Sequence, residues 1–251
     1  MVCALVDGRI PNEAARRLRL DGIEPITLPA CRSLPEAIAS HPDTLVFKCG
    51  NDIYASAEYC DEAAYVFGDV RELAPHVRVH FTADVLGGCY PEDCRFNAHV
   101  MGNMLVCNRE TVSVNILEAA RSRGLETVHT RQGYPACTTL YLGAAAAISA
   151  DRGVIRALER VGIDCLEIEK GGIALPPYEY GFIGGACGVF HDTVYFFGDL
   201  DTHPSSDIIR AFLDKRGYRA VSLFSGTLID LGGIVFLEKE ADEHRDNRDH
   251  Q

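Results

Sequence analysis

The sequence predicts an α/β fold in which five similar strand–strand–helix–strand units close into a ring. Three observations indicate this fold: four helices of about three turns that end at a glycine before a short apolar strand, hairpin patterns ahead of the helices, and an unpaired strand at each chain end. The 251 residues would give five units of about fifty residues each.

The helical segments carry matching signals at their two ends. A glycine that can adopt the left-handed conformation follows each of four segments. These glycines are Gly22, Gly124, Gly162 and Gly217. Asn108 and Asp151 are suitable N-cap residues, and Pro11 and Pro204 suit a first helical turn. A weaker fifth helix is predicted around DVRELAPHV, and the apolar faces of all five should pack on sheets.

Hairpin patterns provide the other two strands of each unit. They are HPDTLVFKCG–NDIYASAEY, CRFNAHVMG–NMLVCN, ACTTLYLG–AAAAISA and FIGGACGVFHD–TVYFFGD. The first helix has only CALVDGRI before it, and TLIDLGGIVFLEKE at the chain end offers the missing partner. Pairing of Cys3–Arg9 with Asp230–Leu237 would close the ring and remove exposed sheet edges. The alternative is an open doubly wound sheet, in which strands alternate with helices and need no hairpins.

Composition and charge narrow the functional classes. Hydrophobic residues at 47% and charged residues at 24% are globular values, so we expect one domain over residues 1–240 and a polar tail over 241–251. The net charge of −12 argues against a nucleic-acid or anionic-membrane surface. Without a signal-peptide pattern or an apolar run of about 18 residues, a cytoplasmic protein with ten reduced cysteines is expected.

Two short patterns at the starts of hairpin strands carry candidate chemistry. His41-Pro42-Asp43 combines an imidazole with a carboxylate, although a local turn explains the same residues. Cys137 lies in QGYPACTTL, and Cys94, in YPEDC, occupies the equivalent position one unit earlier. Either thiol could instead be a buried structural cysteine.

Five strand–strand–helix–strand units in a ring resemble the pentein, or α/β-propeller, superfamily. That superfamily contains guanidine-modifying enzymes such as arginine deiminase and dimethylarginine dimethylaminohydrolase, and also a non-catalytic ribosome anti-association factor. The segments YPEDCRFNAHVMGNMLVCN, LETVHTRQGY, GFIGGACG and YFFGDLDTHP are also similar to a bacterial group of about this length.

The resemblance implies nucleophilic chemistry on a cationic substrate. A cysteine attacks the guanidinium carbon, a His-x-Asp motif supplies a general acid/base and a carboxylate, and further acids hold the cation. By this resemblance Cys137 is the nucleophile, His41 the general acid/base, and Asp43 the accompanying carboxylate. The expected substrate is a small amidine- or guanidine-like compound, with no cofactor and no metal. The alternative is a non-catalytic ring that docks a protein or a small ligand.

Substrate-binding candidates come from several of the predicted units. Asp93, Asp230 and Asn97 are the residues we expect to contact the substrate. In a ring, Asp43, Asp93, Cys137 and Asp230 would come from four different units and converge on one channel. Carboxylates and a thiol near one axis would suit a bound cation or a site with perturbed pKa values.

The sequence departs from the guanidine-modifying enzymes at the motif Glu-Gly-Gly-Asp. Ile183 replaces the glutamate, Gly184 and Gly185 match, and Ala186 replaces the aspartate. Two acids that would hold a guanidinium are therefore missing from this segment.

The order of the units also differs from that of the enzymes. Their His-x-Asp unit comes directly before the cysteine unit, whereas one unit separates His41 from Cys137; Cys94 would restore that adjacency. If Cys137 is nonetheless the nucleophile, we expect it to lie within a few ångströms of His41 or to share a pocket with it. A lowered thiol pKa should then make it the fastest of the ten cysteines to react with iodoacetamide.

Overall fold

Five three-stranded sheets contain most of the strands of the protein. The computed structural model describes residues 2–239, so the tail predicted over 241–251, with His244 and His250, lies outside the described residues. Each of these five sheets combines an antiparallel pair of strands with a parallel pair, and helical structure connects the two parallel strands. The predicted α/β class and the predicted order of elements within the units are confirmed.

The strands and helices are short. The strands are β1 (Val2–Asp7), β2 (Ile23–Leu28), β3 (Val46–Cys49), β4 (Asp52–Ser56), β5 (Arg78–Thr82), β6 (His99–Met101), β7 (Met104–Cys107), β8 (Glu126–His129), β9 (Thr139–Leu142), β10 (Ala146–Ser149), β11 (Asp164–Glu167), β12 (Ile173–Ala174), β13 (Cys187–Phe190), β14 (Thr193–Phe196), β15 (Arg219–Ser222), β16 (Leu228–Ile229) and β17 (Val235–Leu237). The helices are α1 (Asn12–Leu20), α2 (Pro42–Leu45), α3 (Ala57–Glu62), α4 (Ala64–Leu73), α5 (Val114–Ser122), α6 (Pro135–Thr138), α7 (Arg152–Glu159) and α8 (Ser206–Asp214). None of the helices within residues 2–239 combines the length and the apolarity that crossing a bilayer requires.

The sheets have the orders β17-β1-β2, β3-β4-β5, β6-β7-β8, β9-β10-β11 and β13-β14-β15, and a small parallel pair joins β12 to β16. The first sheet confirms that the two ends of the chain pair. Strand β17 runs antiparallel to β1, with Cys3 opposite Leu237, Ala4 opposite Phe236 and Leu5 opposite Val235. Strand β1 is consequently the central strand of its sheet, and Cys3–Leu5 are fully buried.

Helix starts agree with the sequence analysis in one case and differ in another. Asp151 caps α7 as predicted, because its side chain accepts from the first free backbone N–H groups of the helix. Asn108 does not cap α5, which begins later and is capped by Ser113. The amide of Asn108 instead donates to the carbonyl of Arg131, and its oxygen accepts from the Glu110 N–H. Asn108 therefore stabilises a turn before the helix.

One cavity of about 440 Å³ borders the first strand of every three-stranded sheet. We call it the inter-sheet cavity. Representative wall residues from β3, β6, β9, β13 and β17 are Val46, Val100, Tyr141, Val189 and Val235. The cavity is lined both by segments that lead into these strands, with Asp43 and Gly232 among them, and by hairpin residues such as Gly50 and His191. This geometry brings together the strand starts that carry the candidate residues.

Candidate active site

His41 and Asp43 lie at the start of α2, immediately before β3. The His41 side chain is buried, and the backbone N–H of Asp43 donates to the carbonyl of Gly232 over 3.1 Å. Gly232 has a φ of +69°, and a Cβ atom there would lie 2.3 Å from the Cβ of His41. This segment therefore requires glycine both for its backbone conformation and for its close approach to the histidine.

Cys137 lies in α6, immediately before β9, and its thiol contacts a carboxylate. The Sγ atom donates to Oδ2 of Asp230 over 3.4 Å. Backbone N–H groups hold the same carboxylate: Phe182 donates to Oδ2 over 2.8 Å, and Gly232 donates to Oδ1 over 3.0 Å. Gly185 donates its N–H to the carbonyl of Cys137 over 2.9 Å. The segment before β13 thus anchors both the Cys137 backbone and the Asp230 carboxylate, and the Gly232 N–H holds that carboxylate locally.

The imidazole of His41 lies among three carboxylates. Its Nδ1 is 3.8 Å from Oδ1 of Asp230 and 4.0 Å from Oδ1 of Asp43. Its Nε2 is 3.8 Å from Oδ2 of Asp7. Cys137 and His41 therefore both lie beside Asp230, Cys137 with a hydrogen bond to its Oδ2 and His41 with Nδ1 3.8 Å from its Oδ1. We refer to Asp7, His41, Asp43, Cys137 and Asp230 as the thiol–carboxylate cluster.

Asp7 and its partner Arg9 were not predicted as site residues. Asp7 ends β1, is fully buried, and accepts from Arg9 at both oxygens, over 2.9 Å from Nε and 2.6 Å from Nη2. The sequence did offer one indication of Asp7, because it is an acidic residue that ends the apolar run CALV and precedes a glycine. That pattern did not identify Asp7 as a site residue, because no neighbouring residue indicates that His41 lies beside it.

Burial and charge set the protonation states of the cluster. Burial, together with Asp230 and Asp43, raises the pKa of the Cys137 thiol well above its usual value. Burial and the neighbouring Asp230 raise the pKa of Asp43 to about 8, and burial lowers the pKa of His41. The cluster consequently holds a protonated thiol, a neutral imidazole and a largely protonated Asp43 at neutral pH. The predicted low thiol pKa is wrong.

Two polar atoms of the cluster have no hydrogen-bond partner among residues 2–239. They are Oδ2 of Asp43 and Nε2 of His41, and both are buried. A buried polar atom left unsatisfied costs about 1–3 kcal/mol, so such atoms are rare in folded proteins unless they serve a function. Their position inside the cluster makes them candidate ligand contacts. Within residues 2–239, no group of three or more histidine, cysteine, aspartate or glutamate side chains is arranged to hold a metal ion.

Asp93 and Asn97 lie beside the segment that leads to Cys137. Oδ2 of Asp93 accepts from the hydroxyl of Tyr134 over 2.8 Å, and Oδ1 of Asn97 accepts from the Ala136 N–H over 2.9 Å. These two hydrogen bonds are made to the Tyr134 side chain and the Ala136 backbone, and neither involves the Cys137 thiol. Oδ1 of Asp93 and Nδ2 of Asn97 are also buried and have no hydrogen-bond partner within the part of the chain that the structure describes.

Cys94, the rival nucleophile, has a different environment. Its thiol donates to the carbonyl of Pro91 over 3.3 Å, and burial raises its pKa to about 11. Among the described residues, no hydrogen bond or ion pair joins Cys94 to a histidine. Cys137 is therefore the cysteine whose surroundings combine a histidine with carboxylates.

The absence of a side chain at Gly185 leaves room for a carboxylate that comes from another segment. A Cβ atom on Gly185 would lie 2.0 Å from Oδ1 of Asp230. The absence of a side chain therefore leaves the space that the Asp230 carboxylate occupies. A carboxylate reaches this place from the segment before β17, although Ile183 and Ala186 replace the acids of the motif.

The exposed Cys89 is expected to react with iodoacetamide at least about tenfold faster than Cys137 in the ligand-free protein. The reason is that Cys137 is buried and protonated, whereas alkylation requires an accessible thiolate. Peptide mass mapping of the ten cysteines over time at pH 8 measures the rates, with urea-unfolded protein as the control in which the difference disappears. Equal native rates for Cys89 and Cys137 would contradict the structure of the cluster.

Solved structures identify the class of fold. DDAH from Pseudomonas aeruginosa, in complex with citrulline, is similar with a TM-score of 0.57 and 12% identity over 88% of this chain and 90% of that chain. The product-bound N-terminal domain of ArgZ, an arginine dihydrolase from the ornithine–ammonia cycle in cyanobacteria, is similar with a TM-score of 0.57 and 12% identity over 95% and 98%. The chain has an α/β fold similar to that of these two structures, as the resemblance given in the sequence analysis implied.

Residues 5–235 match the model of one protein family, described as "Family of unknown function (DUF6873)". The matched range extends from β1 to the start of β17, and the chain belongs to this family. No curated protein matches the sequence.

Proposed function

We propose that this protein is a thiol-dependent hydrolase or transferase that acts on a small amidine- or guanidine-like compound. The observation that carries the proposal is the meeting of a thiol, an imidazole and several carboxylates in one buried cluster, with Sγ of Cys137 3.4 Å from Asp230. A planar cation with several N–H donors is the ligand that such carboxylates hold best. The relatives of similar fold include an enzyme described as an arginine dihydrolase, which supports the same substrate class.

We also propose that the five units form a closed ring. Two observations support it: the first strand of each three-stranded sheet borders the inter-sheet cavity, and β17 pairs with β1. In such a ring the segments before the first strands converge on one axis. That convergence accounts for the contact between Cys137 and Asp230, which are 93 positions apart in the chain.

The substrate itself would activate the thiol. A guanidinium or amidinium group beside Asp230 offsets the negative charge that helps to raise the thiol pKa, and it favours ionisation of Asp43, whose pKa of about 8 leaves it largely protonated at neutral pH. Two opposite charges about 4 Å apart attract by roughly 4 kcal/mol at an effective dielectric constant of about 20. That energy corresponds to a change of about 3 in the thiol pKa. The nucleophile would therefore form only when the substrate is bound.

His41 would move the protons of the reaction. The neutral imidazole accepts the proton of the Cys137 thiol, and the thiolate attacks the central carbon of the substrate to form a C–S bond. The imidazolium then donates this proton to the departing nitrogen as the C–N bond breaks and an amine or ammonia leaves. Water, deprotonated by His41, attacks the S-linked carbon, and cleavage of the C–S bond regenerates the thiol. An amine in place of water would make the reaction a transfer.

Three further residues would support the reaction of Cys137 and His41. They are Asp7, Asp93 and Asn97. Asp7 lies 3.8 Å from Nε2 of His41 and would stabilise the imidazolium that forms during the reaction. Asp93 and Asn97 would position the segment before Cys137, and their unpartnered buried atoms make them candidates for direct contact with the substrate.

The burial and raised pKa of Cys137 favour a second candidate function, a ring that binds a ligand without converting it. In that case the carboxylates would hold a cationic ligand, and the thiol would serve only as a hydrogen-bond donor to Asp230. The two functions predict the same binding and differ in whether a covalent adduct and a product form.

A product and adduct assay tests the proposed function. We expect the protein to release ammonia or an amine from at least one of guanidine, methylguanidine, arginine and acetamidine. Acid quenching during turnover should trap an S-linked adduct, which peptide mass mapping should locate at Cys137 because this thiol and His41 both lie beside Asp230. Heat-denatured protein is the control. Binding of these compounds without any product or adduct would exclude catalysis on them and favour the binding ring.

A further inference from the structure

We propose that the protein binds a small zwitterionic amino acid in a second cavity, and that this ligand holds closed the segments around Cys137 and Asp230. The cavity has a volume of about 190 Å³ and is lined by Gln132 and His203 among others. We call it the His203 cavity. Of the described residues that line it, none belongs to the thiol–carboxylate cluster or lines the inter-sheet cavity. The inference goes beyond the proposed function and does not depend on it.

His203 supplies a buried hydrogen-bond donor at this cavity. It is 2% exposed, and its Nδ1 accepts from the Ser205 N–H over 3.0 Å. Burial lowers the pKa of the imidazole, so the ring is neutral at neutral pH and its hydrogen must lie on Nε2. The Gly171 backbone lies near the ring, yet Nε2 makes no hydrogen bond of normal geometry within residues 2–239. An acceptor oxygen on a ligand would satisfy this donor.

Charged side chains of both signs border the His203 cavity. Lys170 and Glu169 are exposed, and Asp151 is partly buried. A ligand carboxylate can pair with Lys170 and accept from His203, while a ligand ammonium group can pair with Glu169. A simple anion would be repelled by Glu169 and Asp151, whereas a simple cation would leave the His203 donor unsatisfied. A zwitterion avoids both costs.

The remaining wall of the cavity is apolar, and the space is small. Tyr180 and Phe182 hold their rings edge to face, with centroids 6.2 Å apart. Aliphatic surface comes from Ala150, Ile168, Ile173 and Ile183. The volume of about 190 Å³ is below the range of about 300–1,000 Å³ that is typical of sites for drug-sized ligands. The cavity therefore suits one amino acid with an apolar side chain, and not a peptide or a nucleotide.

Two walls of the His203 cavity carry groups that hold the thiol–carboxylate cluster in place. Oε1 of Gln132 accepts from the Tyr134 N–H over 3.2 Å, in the segment that leads to Cys137. On another wall, the Phe182 N–H donates to Asp230 over 2.8 Å. A ligand between these walls would hold the two segments together.

This coupling should slow the alkylation of Cys137. The thiol is buried, so alkylation requires the surrounding segments to open locally. A ligand that binds only the closed form reduces the open population by a factor of 1 + [L]/Kd, which is about tenfold when the ligand is at ten times its Kd. The exposed Cys89 does not line the cavity, and its rate should stay unchanged.

Calorimetric titration of the full chain with alanine, valine, leucine and phenylalanine tests the site. At least one of them should bind at least about tenfold more tightly than its analogues that lack the amino or the carboxyl group. His203→Asn keeps an oxygen that can accept from the Ser205 N–H but removes the Nε2 donor, and it should weaken binding by about tenfold. Lys170→Met should weaken binding by about fivefold. Lys215→Met is the matched control, because Lys215 is also exposed but lies outside the cavity.

Peptide mass mapping of the alkylated protein, with and without the bound amino acid, measures the coupling. Failure of all four amino acids to bind would overturn the inference, as would equal binding of the analogues or an unchanged Cys137 rate. Unchanged binding in Lys170→Met and in folded His203→Asn would overturn it too; if His203→Asn does not fold, Lys170→Met decides alone, since its side chain is exposed. Loss of binding in Asp43→Asn would place the ligand in the thiol–carboxylate cluster instead. These outcomes leave the proposed function intact, because its chemistry needs no second ligand.

Discussion

Cys137→Ala is expected to reduce turnover of the guanidine or amidine substrate by at least about 10⁴-fold. The alanine has no atom that can form the bond to the substrate carbon, and neither His41 nor the carboxylates can replace it. The change removes one sulfur atom from a buried position, so the fold should persist with a loss of about 1–2 kcal/mol in the free energy of unfolding. Substrate binding should weaken far less than turnover, because Asp43 and Asp230 remain.

Product release under saturating substrate measures this effect, and urea unfolding verifies that the variant is folded. Cys94→Ala is the matched control, because Cys94 is also buried before a hairpin strand but its thiol donates to the carbonyl of Pro91. It should retain turnover within about threefold. Loss of activity in Cys94→Ala with activity preserved in Cys137→Ala would reverse the assignment of the nucleophile.

Gly184→Ala is expected to lower the free energy of unfolding by at least about 3 kcal/mol. A Cβ atom on Gly184 would lie 2.3 Å from the carbonyl oxygen of Ala136, 2.4 Å from that of Thr139 and 2.7 Å from that of Cys137. All three are backbone atoms that cannot rotate away as a side chain does. The strand start that carries the nucleophile would have to move, so activity should be lost as well.

Urea unfolding curves of the two proteins measure the change, provided that their slopes agree. Gly68→Ala is the control substitution, since Gly68 lies within α4 and a Cβ atom there meets nothing within 4 Å. It should raise stability by about 0.5–1 kcal/mol because alanine favours a helix over glycine. A loss below about 1 kcal/mol in Gly184→Ala would mean that the segments at the cluster are not packed as the structure has them.

Much of the fold could be predicted because its signals are local. Alternating apolar residues, turn residues and caps such as Asp151 each depend on a few neighbouring positions, and the same pattern recurs along the chain. The pairing of β17 with β1 followed from counting strands that lacked partners. The start of α5 was misplaced at Asn108, because an asparagine that caps a helix and one that stabilises a turn look alike in sequence.

The candidate site was predictable in part. Chemically suitable residues at the starts of hairpin strands led to His41, Asp43, Cys137 and Asp230, and the structure joins all four in one cluster. The same reasoning included Asp93 and Asn97, whose hydrogen bonds reach the segment before Cys137 instead. It missed Asp7, because only the contact with His41 in the folded protein identifies Asp7 as a site residue.

The repeated units, the pairing of β1 with β17 and a short set of reactive residues could be predicted from the sequence, since each of these depends on neighbouring positions or on a count along the chain. Which cysteine has a histidine and carboxylates around it, and that its thiol is protonated, could be learned only from the folded chain. Desolvation and Coulomb interactions set these properties, and both depend on distances in space. Cys137 meets Asp230 across 93 positions, and no pattern of neighbouring residues records that distance.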